Sequence, residues 1–150
     1  MVKEMLCTKC GYKRWPMLIW IVGFLLLFIL FFPLIPSFAN SQNIEQPSKS
    51  QQNLIQTALG DQYQIKRMAC ILSSHHKKAY YVGAIFYAHG VGNITGVWIV
   101  GGPKNDPNLV FSVDGAAHQF SGMRKASETR FKAYISDPEV DLLKKHLKKQ

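Results

Sequence analysis

Hydrophobic and polar positions divide the chain into three regimes. The first is the run from Met17 to Pro36, MLIWIVGFLLLFILFFPLIP, in which no side chain is charged and only the Trp20 indole can hydrogen-bond. A helix rises about 1.5 Å per residue, so roughly 20 residues cross the ~30 Å hydrocarbon core of a bilayer. Lipid offers the backbone no partners, and a helix satisfies its own amides. The pattern therefore predicts a transmembrane helix over 16–36, with Trp15 and Trp20 at the near interface, Pro16 in the first turn, and Pro33 and Pro36 at the far end. The second regime, 37–52, is rich in Ser, Asn and Gln and predicts a flexible linker.

The third regime, 53–150, has the patterning of a folded domain. Leu54, Ile55, Ala58 and Leu59 form an apolar stripe at helical spacing that Gly60 closes. Four strand-like runs come next: Tyr63–Leu72, Ala79–His89, Ile94–Val100 and Leu109–Val113. Polar or Gly-rich segments separate them, and Asp114-Gly115 after the last run predicts a tight turn with positive φ that holds a hairpin. This is the spacing of an antiparallel meander. Ala79–Phe86 and Val97–Val100 are apolar at every position, so both faces of the sheet need a cover. The helix near Leu54 and a C-terminal helix supply them. For the latter, Asp137 is placed to cap the first amides, Pro138 fits the first turn, and Val140, Leu143 and Leu147 make the apolar stripe. The fold class expected is α+β: one N-terminal transmembrane helix, then a small antiparallel β-meander domain flanked by helices.

Charge adds an orientation. The chain has 18 Lys+Arg against 9 Asp+Glu, a formal net charge of +9. Lys3, Lys9, Lys13 and Arg14 precede the apolar run, whereas Glu45 and Lys49 are the only charges between Ser37 and Ser50. Basic residues collect on the cytoplasmic flank of a span, which predicts a cytoplasmic tail over 1–15 and an extracytoplasmic C-terminal domain. A cleaved leader is the alternative: Ser37-Phe38-Ala39 offers a cut after Ala39 that would release a secreted protein. The domain is exported in both cases, so nucleic acid is not an expected partner despite the charge. Lys144, Lys145, Lys148 and Lys149 at the C-terminus suit the negative end of a helix dipole. A contact with anionic lipid or an envelope polymer is the other use of such a patch.

Cys7-Thr-Lys-Cys10-Gly11 places two thiols at the spacing of a zinc knuckle, with a glycine for the turn beneath them. It resembles the first half of the zinc-ribbon domains at the N-termini of many small bacterial membrane proteins, but the second CxxC is missing. Zinc takes four ligands. A complete site at Cys7 and Cys10 therefore needs a second copy of the chain, in a homodimer, or another envelope protein.

The remaining chemistry is sparse. His75 and His76 fall in a turn, His89 ends a strand, His118 comes after the Asp114-Gly115 dipeptide and His146 lies in the basic helix. Convergence of such histidines with Asp106 or Asp114 would make a metal site, although no helix-borne HExxH pair is present. Cys70, among Met68, Ala69, Ile71 and Leu72, reads as a small buried hydrophobe. No nucleophile elbow or phosphate loop appears. Tyr80-Tyr-Val-Gly-Ala84, Gly96-Val-Trp98, Phe111-Ser-Val-Asp-Gly-Ala116 and Gln119-Phe-Ser121 together resemble a group of functionally uncharacterised small exported, membrane-anchored bacterial proteins. That resemblance implies a shared fold and carries over no catalytic residue or cofactor. The sequence thus predicts a single-pass membrane protein that acts as a non-enzymatic envelope binding or assembly module. The rival is an exported metal-dependent hydrolase using His75, His76 or His118 with an aspartate.

Overall fold

The structure, a computed structural model, describes residues 43–149. The apolar run and the pair Cys7 and Cys10 lie outside the described residues. Among the described residues no helix is long and apolar enough to cross a membrane.

The domain begins earlier than the polar composition suggests. Residues 43–52, read from composition as the end of the linker, belong to the folded unit. Glu45 and Cys70 exchange backbone hydrogen bonds of 2.8 Å in each direction, and α1 starts at Lys49 and runs to Leu59. A reciprocal capping box sets this start: the Gln51 amide donates to Ser48 Oγ, and the Ser48 amide donates to Gln51 Oε1. Gly60, at φ 85°, ends the helix.

Four antiparallel strands succeed it in the order of the sequence: β1 Gln64–Leu72, β2 Ala79–Ala88, β3 Gly92–Gly101 and β4 Leu109–Ser112. A bulge between Ile65 and Arg67 shifts the register of β1. Next come α2, Gly115–Ser121, a short 3₁₀ turn over Ala126–Glu128, and α3, Pro138–Lys149. The architecture is α+β, as the pattern predicts.

The central strands are buried on both sides, and each face has its own cover. Because side chains alternate across a strand, Val82, Ala84, Phe86, Trp98 and Val100 point to one face, where Ile55 and Leu59 of α1 and Ala117 of α2 meet them. Ala79, Tyr81, Val97 and Ile99 point to the other, under Val140, Leu143 and Leu147 of α3 and the Phe131 ring. Trp98, Tyr81 and Phe86 are each 0% exposed and are the largest fully buried side chains. Each is worth about 2–3 kcal/mol of transfer free energy against exposure.

One local reading is corrected. Asp114-Gly115 is not a hairpin turn and Gly115 does not take a positive φ. Asp114 is the N-cap of α2, its Oδ1 accepting from the Ala117 amide at 2.8 Å and the Val97 amide at 3.3 Å. An aspartate before a glycine suits a helix start as well as a turn. The residue three positions on decides between them, because Ala117 packs on the sheet and so draws the backbone into a helical turn. Asp137 stands at the head of α3, where the pattern places it, and its Oδ2 accepts from Tyr81 Oη at 2.6 Å and from the Tyr134 amide at 2.8 Å. The carboxylate thus ties the incoming loop to β2.

Candidate functional site: a basic cleft at one end of the sheet

The meander brings two connections to one end of the sheet. Leu72 pairs with Tyr80, Ala79 with Gly101, and Gly101 with Leu109, so the β1–β2 turn and the β3–β4 loop leave the strands side by side. The turn is built by Ser73, whose amide donates to the Ala79 carbonyl at 2.9 Å. Its Oγ accepts from the His75 and His76 amides at 3.3 and 3.2 Å, which curls the backbone and holds both imidazoles on one short arc. Ser74 fixes the arc to the start of α3, its amide and hydroxyl donating to Glu139 Oε1 at 2.9 and 2.6 Å. Lys78 sits in the left-handed region at φ 58°, and its carbonyl accepts from the Gly102 amide at 2.9 Å. A non-glycine residue there costs of order 1 kcal/mol, which the surrounding bonds absorb.

Between turn and loop lies an open cleft of about 460 Å³. His75, His76, Lys77 and Lys78 form one wall, Gly101, Gly102, Asn108 and Leu109 another, and Arg130 and Phe131 close it. The Phe131 ring is its apolar floor. It meets the His76 ring edge-on at a centroid distance of 5.5 Å, and the Arg130 guanidinium stands 5.5 Å from its centroid. Gly101 makes room for this ring, since a Cβ there would come within 2.7 Å of Phe131 Cζ.

Among the described residues, none that lines the cleft is acidic. The carboxylates at this end are engaged elsewhere: Glu45 with Lys104, Glu139 with Ser74, and Asp137 with Tyr81 and Tyr134. Asp106 lies in the β3–β4 loop but does not line the cleft. Three permanent cations and two imidazoles therefore face one concave space, an arrangement that concentrates anions. The aromatic floor adds a surface for a planar or apolar part of a ligand.

The other expected ligands do not join this cluster. His89 lies in the turn beyond β2, at the opposite end of the sheet, and His118 is an exposed residue of α2 whose Nδ1 is 2.8 Å from the Met123 carbonyl. His146 is on α3. Asp114 is buried and ion-paired, its Oδ2 2.7 Å from Lys144 Nζ. Among the described residues no three His, Cys, Asp or Glu side chains are gathered as a metal would need. Cys70 is 1% exposed, and burial pushes its thiol up to about 11. It is the packed hydrophobe that its neighbours predict. Arg130 and Phe131 were not legible as site residues, because their place beside the histidine turn depends on the long return segment between α2 and α3. No protein family, curated protein or solved structure matches this chain.

Proposed function

We propose that the chain is a single-pass membrane protein whose extracytoplasmic domain is a non-enzymatic binding module, and that its ligand is an anion taken up in the basic cleft. The observation that carries this reading is the lining: Lys77, Lys78, Arg130, His75 and His76, with no carboxylate among the described residues that form the cleft. The rival, a metal-dependent hydrolase, would need further ligands beside His75 and His76, and among the described residues no third His, Cys, Asp or Glu is gathered with them. The apolar run at 17–36 and the basic tail before it support the anchor and its orientation.

Two measurements test the two parts. Alkaline phosphatase fused after Gln150 should be active in intact cells, and a stable but inactive fusion would reverse the orientation. Purified full-length protein should bind inorganic pyrophosphate, more weakly as salt rises. Replacing Lys77, Lys78 and Arg130 together by Gln should weaken binding by roughly tenfold or more, at about 0.5–1 kcal/mol for each exposed charge. Equal affinity in the two proteins would remove the cleft as the site.

A further inference from the structure

The cleft lies at the end of the sheet by which the chain joins the domain. Glu45 pairs antiparallel with Cys70, so going back from Glu45 the chain runs alongside β1 toward Leu72 and the histidine turn. Only six residues, 37–42, separate the end of the apolar run from the first described residue, a reach of about 20 Å at full extension. The same end carries exposed apolar side chains. Leu72, which closes β1, is 53% exposed, and Tyr134 and Ile135, just before α3, are 47% and 58% exposed. Tyr134 belongs to this end because its amide donates to Asp137, which also holds Tyr81 of β2. Basic side chains around a cleft, with an aromatic and two aliphatic side chains exposed at the same end, suit a protein that rests on a charged bilayer.

We infer that this end of the domain docks on an anionic phospholipid surface, with lipid phosphates seated among Lys77, Lys78 and Arg130 and with Leu72, Tyr134 and Ile135 entering the interface. The inference rests on the reading of an anchored, anion-binding module and names its ligand. The short reach from the apolar run favours the bilayer over a distant polymer. Charge complementarity selects anionic over zwitterionic lipid, and the aliphatic side chains distinguish a membrane from a soluble phosphate.

The test uses the full chain with Cys7→Ser and Cys10→Ser, spin-labelled at Ile135→Cys; the buried Cys70 thiol stays unlabelled. The protein is reconstituted in nanodiscs of phosphatidylcholine alone or in equal mixture with phosphatidylglycerol, and label depth is read by power saturation. In the anionic discs the label should lie about 5–10 Å into the headgroup region, and in phosphatidylcholine it should remain in water. Changing Lys77, Lys78 and Arg130 to Gln should return it to water. Changing Lys145, Lys148 and Lys149 to Gln, an equal charge loss at the other end of α3, should leave it immersed. A label equally exposed in both lipids overturns the inference. If pyrophosphate still binds the cleft in that case, the anion-binding reading stands and a soluble or polymeric phosphate replaces the lipid. If neither binds, both readings fall.

Discussion

Asp114 shows how much one residue can organise. Its carboxylate is 2% exposed, caps α2 through Oδ1, holds the Val97 amide of β3, and pairs with Lys144 of α3 through Oδ2. One side chain thus links helices from both faces of the sheet. Removing one member of such a pair leaves an uncompensated charge in a dry site, which costs up to 3–5 kcal/mol. Lys144 is partly exposed, so water recovers some of the loss. The expected order of destabilisation in urea is Asp114→Ala, about 3 kcal/mol or more, then Lys144→Met at about 1–3 kcal/mol, then Asp114→Asn, which keeps the cap acceptor. A neutral Lys144→Met would show that the pair carries no stability. Cys70 gives a second residue-scale expectation. Burial raises its thiol from 9.0 to about 11, so the unfolded chain ionises before the folded one. Its contribution to stability is whole below pH 9 and is lost as pH rises through 11, at about 1.4 kcal/mol per unit between the two. Cys70→Ala should flatten that part of the alkaline stability curve; an unchanged slope would assign the loss to other groups.

At the scale of elements, the strands were legible because their signal is local. The pattern predicts Tyr63–Leu72, Ala79–His89, Ile94–Val100 and Leu109–Val113, and the strands found differ from these at their ends by two residues or fewer. The two covering helices could be expected from a conflict of patterns: β2 and β3 have no polar face, so each needs apolar partners on both sides. The start of α1 was legible in principle, since Ser48-Lys-Ser-Gln51 is a capping box, but the surrounding Ser and Gln residues mimic a linker. α2 was hidden for a different reason. At seven residues it is too short for helical periodicity to stand out, and an Asp-Gly pair after a strand has the composition of a turn. The cleft was half legible. His75, His76, Lys77 and Lys78 are consecutive, but Arg130, Phe131 and Gly101 join them only through the register of the sheet and the path of the return segment.

At the scale of the whole described domain, the faces and the edges of the sheet are covered unequally. Helices cover both faces of the sheet, and both edge strands are partly occupied, β1 by Glu45 at Cys70 and β4 by Lys125 at Ser112. Such interruptions, with the bulge in β1, discourage edge-to-edge pairing with other chains. The end where the turn and loop emerge carries the basic cleft and, apart from its lining, the exposed Leu72, Tyr134 and Ile135. The basic tail of α3 lies toward the other end and is in part accounted for within the fold: Lys144 pairs with Asp114 and Lys145 with Asp141 at 2.6 Å. The positive charge of the chain is therefore not one uniform field. The cleft cations are the ones that no carboxylate of the described lining offsets.

Mapping an anion onto the folded chain tests most directly whether this cleft is the binding site. Full-length, isotope-labelled protein in nanodiscs of phosphatidylcholine, titrated with inorganic pyrophosphate, should show saturable amide shifts at residues 74–78, Gly102 and Phe131. The imidazole resonances of His75 and His76 should move with the same midpoint. Amides around His89 and at the end of α3 should stay in place. Shifts confined to those distant residues, or no saturable shift in the turn, would contradict the account.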